Sequence, residues 1–288
     1  MAPSVRRPRR GRRGRRLGLL VGLLLCTALT AGIAVALDRA GRDPAATGAT
    51  GSAPGAATRA PTAEPTPEPL PLAGRTVALD PGHNRDNGRY PDEIGRLVDA
   101  GGFDKQCNTT GTATDAGVPE ATVNWELALA LRERLEALGA TVVLTREQDA
   151  GWGPCIDERA GIANRAGADL LLSLHADGAA ADAHGFHVIH PAVRPGWTDD
   201  IAADSAQAAT AVRDALVDAG LTPATYLGRE GLDERDDLGT LNHADVPAVL
   251  LEAGNLRNHD DAALLTDQAR RGELADALAG AVRDFLTG

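Results

Sequence analysis

Apolar and polar positions alternate in blocks along most of this chain. Residues 75–80 (RTVALD) form a short apolar run that predicts a strand, and a Gly- and Asn-rich loop follows to Val118. From Pro119 the apolar residues Val123, Leu127, Leu131, Leu135 and Leu138 recur at helical spacing, with proline at the start and Gly139 as the stop. Residues 140–145 (ATVVLT) predict a second strand and 157–166 a short helix closed by Gly167. Residues 169–174 (DLLLSL) predict a strand apolar on both sides, suited to the centre of a sheet. Residues 185–190 alternate as a strand at the sheet's edge or next to it, 201–219 read as a helix, and 248–251 as a further strand. A short helix near 260–265 and a final one over 273–286 complete the series. Strands alternating with helices predict an α/β fold: one domain over 74–288, with a mostly parallel, twisted sheet of about six strands flanked by helices on both faces.

The N-terminal quarter breaks this pattern. Residues 1–16 hold eight arginines and no acid, and residues 17–37 run for 21 positions without a charge. As a helix such a run spans roughly 30 Å, the thickness of a bilayer's hydrocarbon core. Arginines ahead of it place segment 1–16 in the cytoplasm and everything after the span outside. Residues 34–36 (AVA) match a small-residue cleavage signal, so 17–37 is either a transmembrane anchor or a removed signal peptide. Its length exceeds the roughly 7–15 residues of a signal core, which favours the anchor. Both readings export the body to the extracytoplasmic side of the cell envelope, anchored or secreted. Residues 38–73 then read as a linker, with seven prolines between 42 and 72 and nothing to bury.

Charge follows the same division. The chain carries −11 overall, but beyond the arginine block 21 basic residues face 40 acidic ones. An acidic body of this kind lacks the electrostatic footprint of nucleic-acid binding. In an exported body, Cys107 and Cys155, 48 positions apart, read first as a structural disulfide, since neither has a second cysteine at ligand spacing.

Three of the expected strands end in residues that carry chemistry. Pro81-Gly82-His83 follows VALD, His175 follows LLLSL, and Glu252 follows AVLL. Ligands of open α/β sheets bind beyond the carboxyl ends of the strands, so two imidazoles and a carboxylate collect at one edge. Glu120, in the first turn of the helix at Pro119, faces the same edge. Two histidines, one carboxylate and an open fourth position form a catalytic zinc set, and the remaining acid is then a base for the water. Each residue alone has a plainer explanation. A histidine at a strand end is usually structural, and a first-turn glutamate is favoured by the helix dipole. Their coincidence at one edge is what favours the metal.

The blocks VALDPGHN, PEATVNWELA, LTREQD with ERAGIAN, DLLLSLHAD and VPAVLLEAGNLRN resemble, in order and spacing, those of the zinc-dependent N-acetylmuramoyl-L-alanine amidases (amidase type 3), over residues 75–287. The likeness is strongest to actinobacterial members. It implies that His83, Glu120 and His175 bind Zn2+ and that Glu252 is the catalytic glutamate. It also implies a peptidoglycan substrate, cut between muramic acid and L-alanine. The protein is expected to act as a monomer. Many relatives carry Gly-Phe where this chain has Gly254-Asn255, so no role for Asn255 follows from the family.

Other residues weigh less. Arg146 and Arg159 read as salt-bridge or loop anchors, and Asn164 as a turn tie. His184 and His190 point to one strand face and His187 to the other; these three, with His243 and His259, read as surface or rim residues. Aromatic residues make up only 3% of the chain, which argues against a stacked-sugar cleft and for recognition of the stem peptide. Two rival functions are another zinc peptidase of the wall and a catalytically silent wall-binding protein.

Overall fold

The computed structural model describes residues 68–288. The Arg-rich segment, the apolar span and most of the proline-rich stretch lie outside the described residues. Among those described, no helix is long and apolar enough to cross a membrane. The domain starts earlier than residue 74. Leu72 is fully buried in the main core, and its N–H donates to the Leu138 carbonyl at 2.8 Å. Leu70 and Leu72 alternate with prolines over too few residues to mark an element, so the pattern did not reveal it.

The first strand, β1 (Thr76–Pro81), leads through a 3-10 turn (Asn87–Arg89) to helix α1 (Pro91–Gly95) and a hairpin, β2 (Leu97–Asp99) with β3 (Asp104–Gln106). Helix α2 (Glu120–Ala137), strand β4 (Thr141–Leu144), helix α3 (Ile156–Ala166), strand β5 (Leu170–Asp177) and strand β6 (His187–Pro191) follow. Next come α4 (Ala202–Asp218), β7 (Leu232–Arg235), α5 (Gly239–Asn242), β8 (Ala248–Asn255), α6 (His259–Thr266) and α7 (Gln268–Thr287). Six strands form one sheet in the order β4-β1-β5-β8-β6-β7. β1, β4, β5 and β8 run parallel, while β6 pairs antiparallel with β8 and parallel with β7. β6 therefore lies next to the edge, as its alternation allowed.

Helices α2, α4 and α7 cover one face over the larger core, and α3 and α5 cover the other. Strand alternation sorts residues between the two. Val77, Leu79, Leu172, Leu174, Val249 and Leu251 point into the larger core, and Ala78, Leu171 and Leu250 into the smaller. Burying each large aliphatic side chain contributes about 1.5–3 kcal/mol. Two steps along the strands from that smaller core, the same face carries Asp80, Ser173 and Glu252, and then His175. The polar edge of the sheet is thus the continuation of one apolar face.

Candidate metal centre and active site

The loop after β1 is built to turn His83 inward. His83 has a left-handed backbone, φ 57°, rare for a residue with a side chain. The conformation is held from several directions. Arg159 donates from Nη2 to the His83 carbonyl (3.1 Å) and to Asn84 Oδ1 (2.9 Å), and from Nη1 to the Pro81 carbonyl (2.9 Å). Arg146 donates to the Pro81 carbonyl (2.9 Å) and to the Ala121 carbonyl (2.7 Å), tying the loop to the first turn of α2. Both arginines are buried and act as anchors. Gly82 makes the close approach possible, since a Cβ there would lie 2.2 Å from His175 Cε1.

Glu120 sits at the first position of α2, after Pro119, and reaches across the end of the sheet. Its Oε1 lies 3.3 Å from His83 Nε2 and 3.1 Å from His175 Nδ1. The Asn124 amide (3.2 Å) and the Ala176 N–H (3.3 Å) donate to the same oxygen, and the Thr112 N–H donates to Oε2 (2.9 Å). His83 Nδ1–H donates to the Thr109 carbonyl at 3.0 Å, which leaves Nε2 as the free lone pair turned towards Glu120. One ligand atom each from His83, Glu120 and His175 lies within 4.8 Å of the others. Two imidazole nitrogens and a carboxylate oxygen converging in this way fit a divalent zinc with an open position.

The electrostatics separate the acids. Burial alone would raise the Glu120 pKa, but His83 and His175 outweigh it and hold the carboxylate well below its usual range. Glu252, directly opposite His175 in the β5–β8 register, has no such partners. Burial, then repulsion from Glu120 and Asp177, pushes its pKa well above the ordinary value. The residue opens on the cleft, yet its Oε2 is buried and finds no hydrogen-bond partner among the described residues. All four residues line one cleft of about 310 Å³, closed on its sides by Thr109, Thr112, Asp177 and Gly178.

Cys107 and Cys155 are bonded, S–S 2.08 Å, which pins the start of the 107–112 wall to the entry of α3. Asn255 is fully buried and staples the following loop. Its amide donates to the Ala180 and Ala183 carbonyls, and its Oδ1 accepts from the Ala179 and Arg257 N–H groups. Asn164 ties residues 243–245 through the His243 carbonyl and the Asp245 N–H. His184 and His259 are exposed, as expected. Two expectations are corrected. His187 and His243 are buried at 1% and 6% exposure, His187 beneath Tyr226 and Asp177, and His243 donating from Nε2 to the Asp99 carbonyl at 2.7 Å. Asp177, which the sequence reading passed over, lies two residues beyond His175 in the SLHAD block and forms part of the cleft wall.

An α/β sheet with a His–Glu–His cluster and a separate, unpartnered carboxylate at its carboxyl edge has the layout of a metal-dependent hydrolase. Comparison with known proteins narrows this class. Residues 77–284 match the N-acetylmuramoyl-L-alanine amidase family, and the chain belongs to it. It is 43% identical over 216 residues to the N-acetylmuramoyl-L-alanine amidase Rv3717 of Mycobacterium tuberculosis, covering 75% of this chain and 88% of the relative. The crystal structure of the amidase Ami1 from Mycobacterium smegmatis superposes with a TM-score of 0.70 at 40% identity, over 75% of this chain and 98% of that one. Apo Ami1 from Mycobacterium abscessus gives 0.71 at 42% identity, over 75% and 100%.

Proposed function

We propose that this enzyme cleaves the amide between N-acetylmuramic acid and L-alanine of peptidoglycan with zinc held by His83, Glu120 and His175, and with Glu252 as its general base. The observation that carries the reading is the division of labour among the acids of one cleft. Glu120 is committed to two imidazoles, whereas Glu252 opens on the same cleft and is bound to neither. Zinc, when bound, supplies Lewis acidity and a water that is nucleophilic near pH 7.

The chain's own residues do the rest. Thr112, Asn124 and the Ala176 N–H fix the Glu120 carboxylate, and Thr109 fixes the His83 tautomer. Glu252, kept basic by burial, takes the proton of the attacking water and returns it to the L-alanine nitrogen, which must be protonated to leave. The stem peptide is the part of the substrate we expect to be read, and one domain suffices, so the enzyme acts as a monomer. The arginine block and apolar span support export to the cell envelope, with the body tethered to the membrane or released.

Mass spectrometry of muropeptides after incubating sacculi with the purified enzyme tests the reading. New L-alanine N-termini and intact peptides are expected. Cleavage within the stem peptide, or binding of sacculi with no release at all, would overturn it.

A further inference from the structure

Three titratable side chains stand in one row across the sheet. In register, His175 of β5 lies opposite Glu252 of β8, and Glu252 lies opposite His187 of β6. Directly paired residues project from the same face, so Glu252 has an imidazole on each flank. His175 belongs to the ligand cluster. His187 stands on the far side, away from it.

His187 is buried, and its Nδ1 has no hydrogen-bond partner among the described residues. Burial lowers its pKa, so the ring is neutral near pH 7 and carries one N–H. Asp177 Oδ2 is 3.8 Å from Nδ1, beyond hydrogen-bond reach, and already accepts from the Tyr226 hydroxyl at 3.0 Å. The Tyr226 ring closes over the imidazole edge-on, with centroids 6.3 Å apart. Asp233 and Arg235 of β7 also act on it, but Arg235 is engaged with Asp237. No His187–Glu252 side-chain hydrogen bond is made in the free enzyme; the unpartnered acceptor on the residue paired with His187 across the sheet is Glu252 Oε2, itself buried. Buried polar atoms are usually paired, and these two belong to residues directly opposite each other on neighbouring strands. Hydrogen bonds between catalytic groups are often long in the free enzyme and tighten once substrate is bound.

We propose that His187 is a positioning residue for Glu252. Its Nδ1–H donates to Glu252 Oε2 in the substrate complex and aims the other oxygen at the attacking water. Glu252 is thereby held from the side that carries no metal ligand, so it swings between water and leaving nitrogen without drifting towards His83 and His175.

The inference rests on the amidase reading and is tested on the full chain by steady-state turnover of soluble muropeptides. His187→Leu removes the donor and is expected to lower kcat about 10- to 100-fold, with KM and zinc content unchanged. His187→Asn, which keeps an N–H near the Nδ1 position, is expected to restore most of that loss. In a Glu252→Gln background, His187→Leu should add no further loss, because it acts through Glu252. A folded His187→Leu enzyme with kcat within about twofold of wild type, a change in KM alone, or no rescue by asparagine would each overturn the proposal. If His187→Leu fails to fold, a crystal structure of the wild-type enzyme with a muramyl-peptide fragment reads the Nδ1 to Oε2 distance. A hydrogen bond there supports the proposal and a separation beyond hydrogen-bond reach overturns it. Wild-type enzyme that releases no L-alanine termini would instead defeat the amidase reading itself.

Discussion

Asp80 and Glu252 lie on the same face of the sheet, near the carboxyl ends of β1 and β8, and their surroundings treat them in opposite ways. Asp80 is 1% exposed and both of its oxygens accept hydrogen bonds. Oδ1 accepts from Thr145 (2.5 Å) and Arg159 (2.6 Å), and Oδ2 accepts from Ser173 (2.6 Å). Burial alone would raise its pKa, but Arg159 and the two hydroxyls hold it at about 2. Glu252 has no donor on Oε2, and burial with two acidic neighbours drives its pKa upwards. The satisfied acid anchors the loop that presents His83, while the unsatisfied one remains available to a proton. Partners, more than depth, separate a structural carboxylate from a reactive one.

The contrast can be broken at several points. The largest effect is expected from His175→Ala, which removes a proposed ligand beside both acids: zinc measured by elemental analysis should be lost and turnover should fall to background. Equal zinc in mutant and wild type would remove His175 from the ligand set. Glu252→Gln should keep its zinc and lose turnover by about 10²-fold or more, with a thermal midpoint no lower than wild type, since a neutral amide is easier to bury. Near-normal activity would move the base elsewhere. Asp80→Asn should do the reverse. It leaves Arg159 buried beside a neutral group, so denaturant unfolding should show a loss of about 3–5 kcal/mol, and a stability matching wild type would show the network to be dispensable. Reduction of the Cys107–Cys155 bond, which closes a loop of 48 residues, should cost at most about 4 kcal/mol in the chain-entropy picture without removing a catalytic group. Unchanged unfolding in reductant would deny it that role.

The smallest effect is a pH dependence. The Asp80 pKa is lowered from 3.8 to about 2 in the folded domain, so its contribution is complete above pH 3.8 and is lost as pH falls towards 2. The loss amounts to about 2 kcal/mol. Unfolding measured across that window should show a sag about 2 kcal/mol smaller in Asp80→Asn than in wild type, since Glu120 and Asp237, whose pKa values are also lowered, titrate in both.

Much of this was legible in the residues. The runs VALD, LLLSL and AVLL declared three inner strands, and the residues just after them declared the edge where chemistry collects, because burial on both faces demands continuous apolar sequence. Glu120 was legible from Pro119 and the helical period behind it. Other features left weaker traces. β7 (LDER) is a short edge strand with little to bury, so it shows no apolar run. The β2–β3 hairpin lies in a stretch whose glycines read as loop. His187 looked like a rim residue because alternation tells which face a residue takes but not what covers it. Its cover, Tyr226, comes from a segment 39 positions away. The separation of Asp80 from Glu252 was likewise invisible, since it depends on Arg159, Thr145 and Ser173 arriving from three other elements.

The strand order also governs when the domain acquires its properties. β8, nearly last in the chain, is inserted between β5 and β6 rather than added at an edge. Until it emerges, two apolar strands face each other across a gap with their hydrogen-bonding edges open, and Glu252, the proposed proton acceptor, is missing. A growing, stalled or clipped chain that ends before residue 248 is therefore both catalytically silent and adhesive. The proposed proton acceptor and the strand that joins the two halves of the sheet thus arrive together, in the same eight residues.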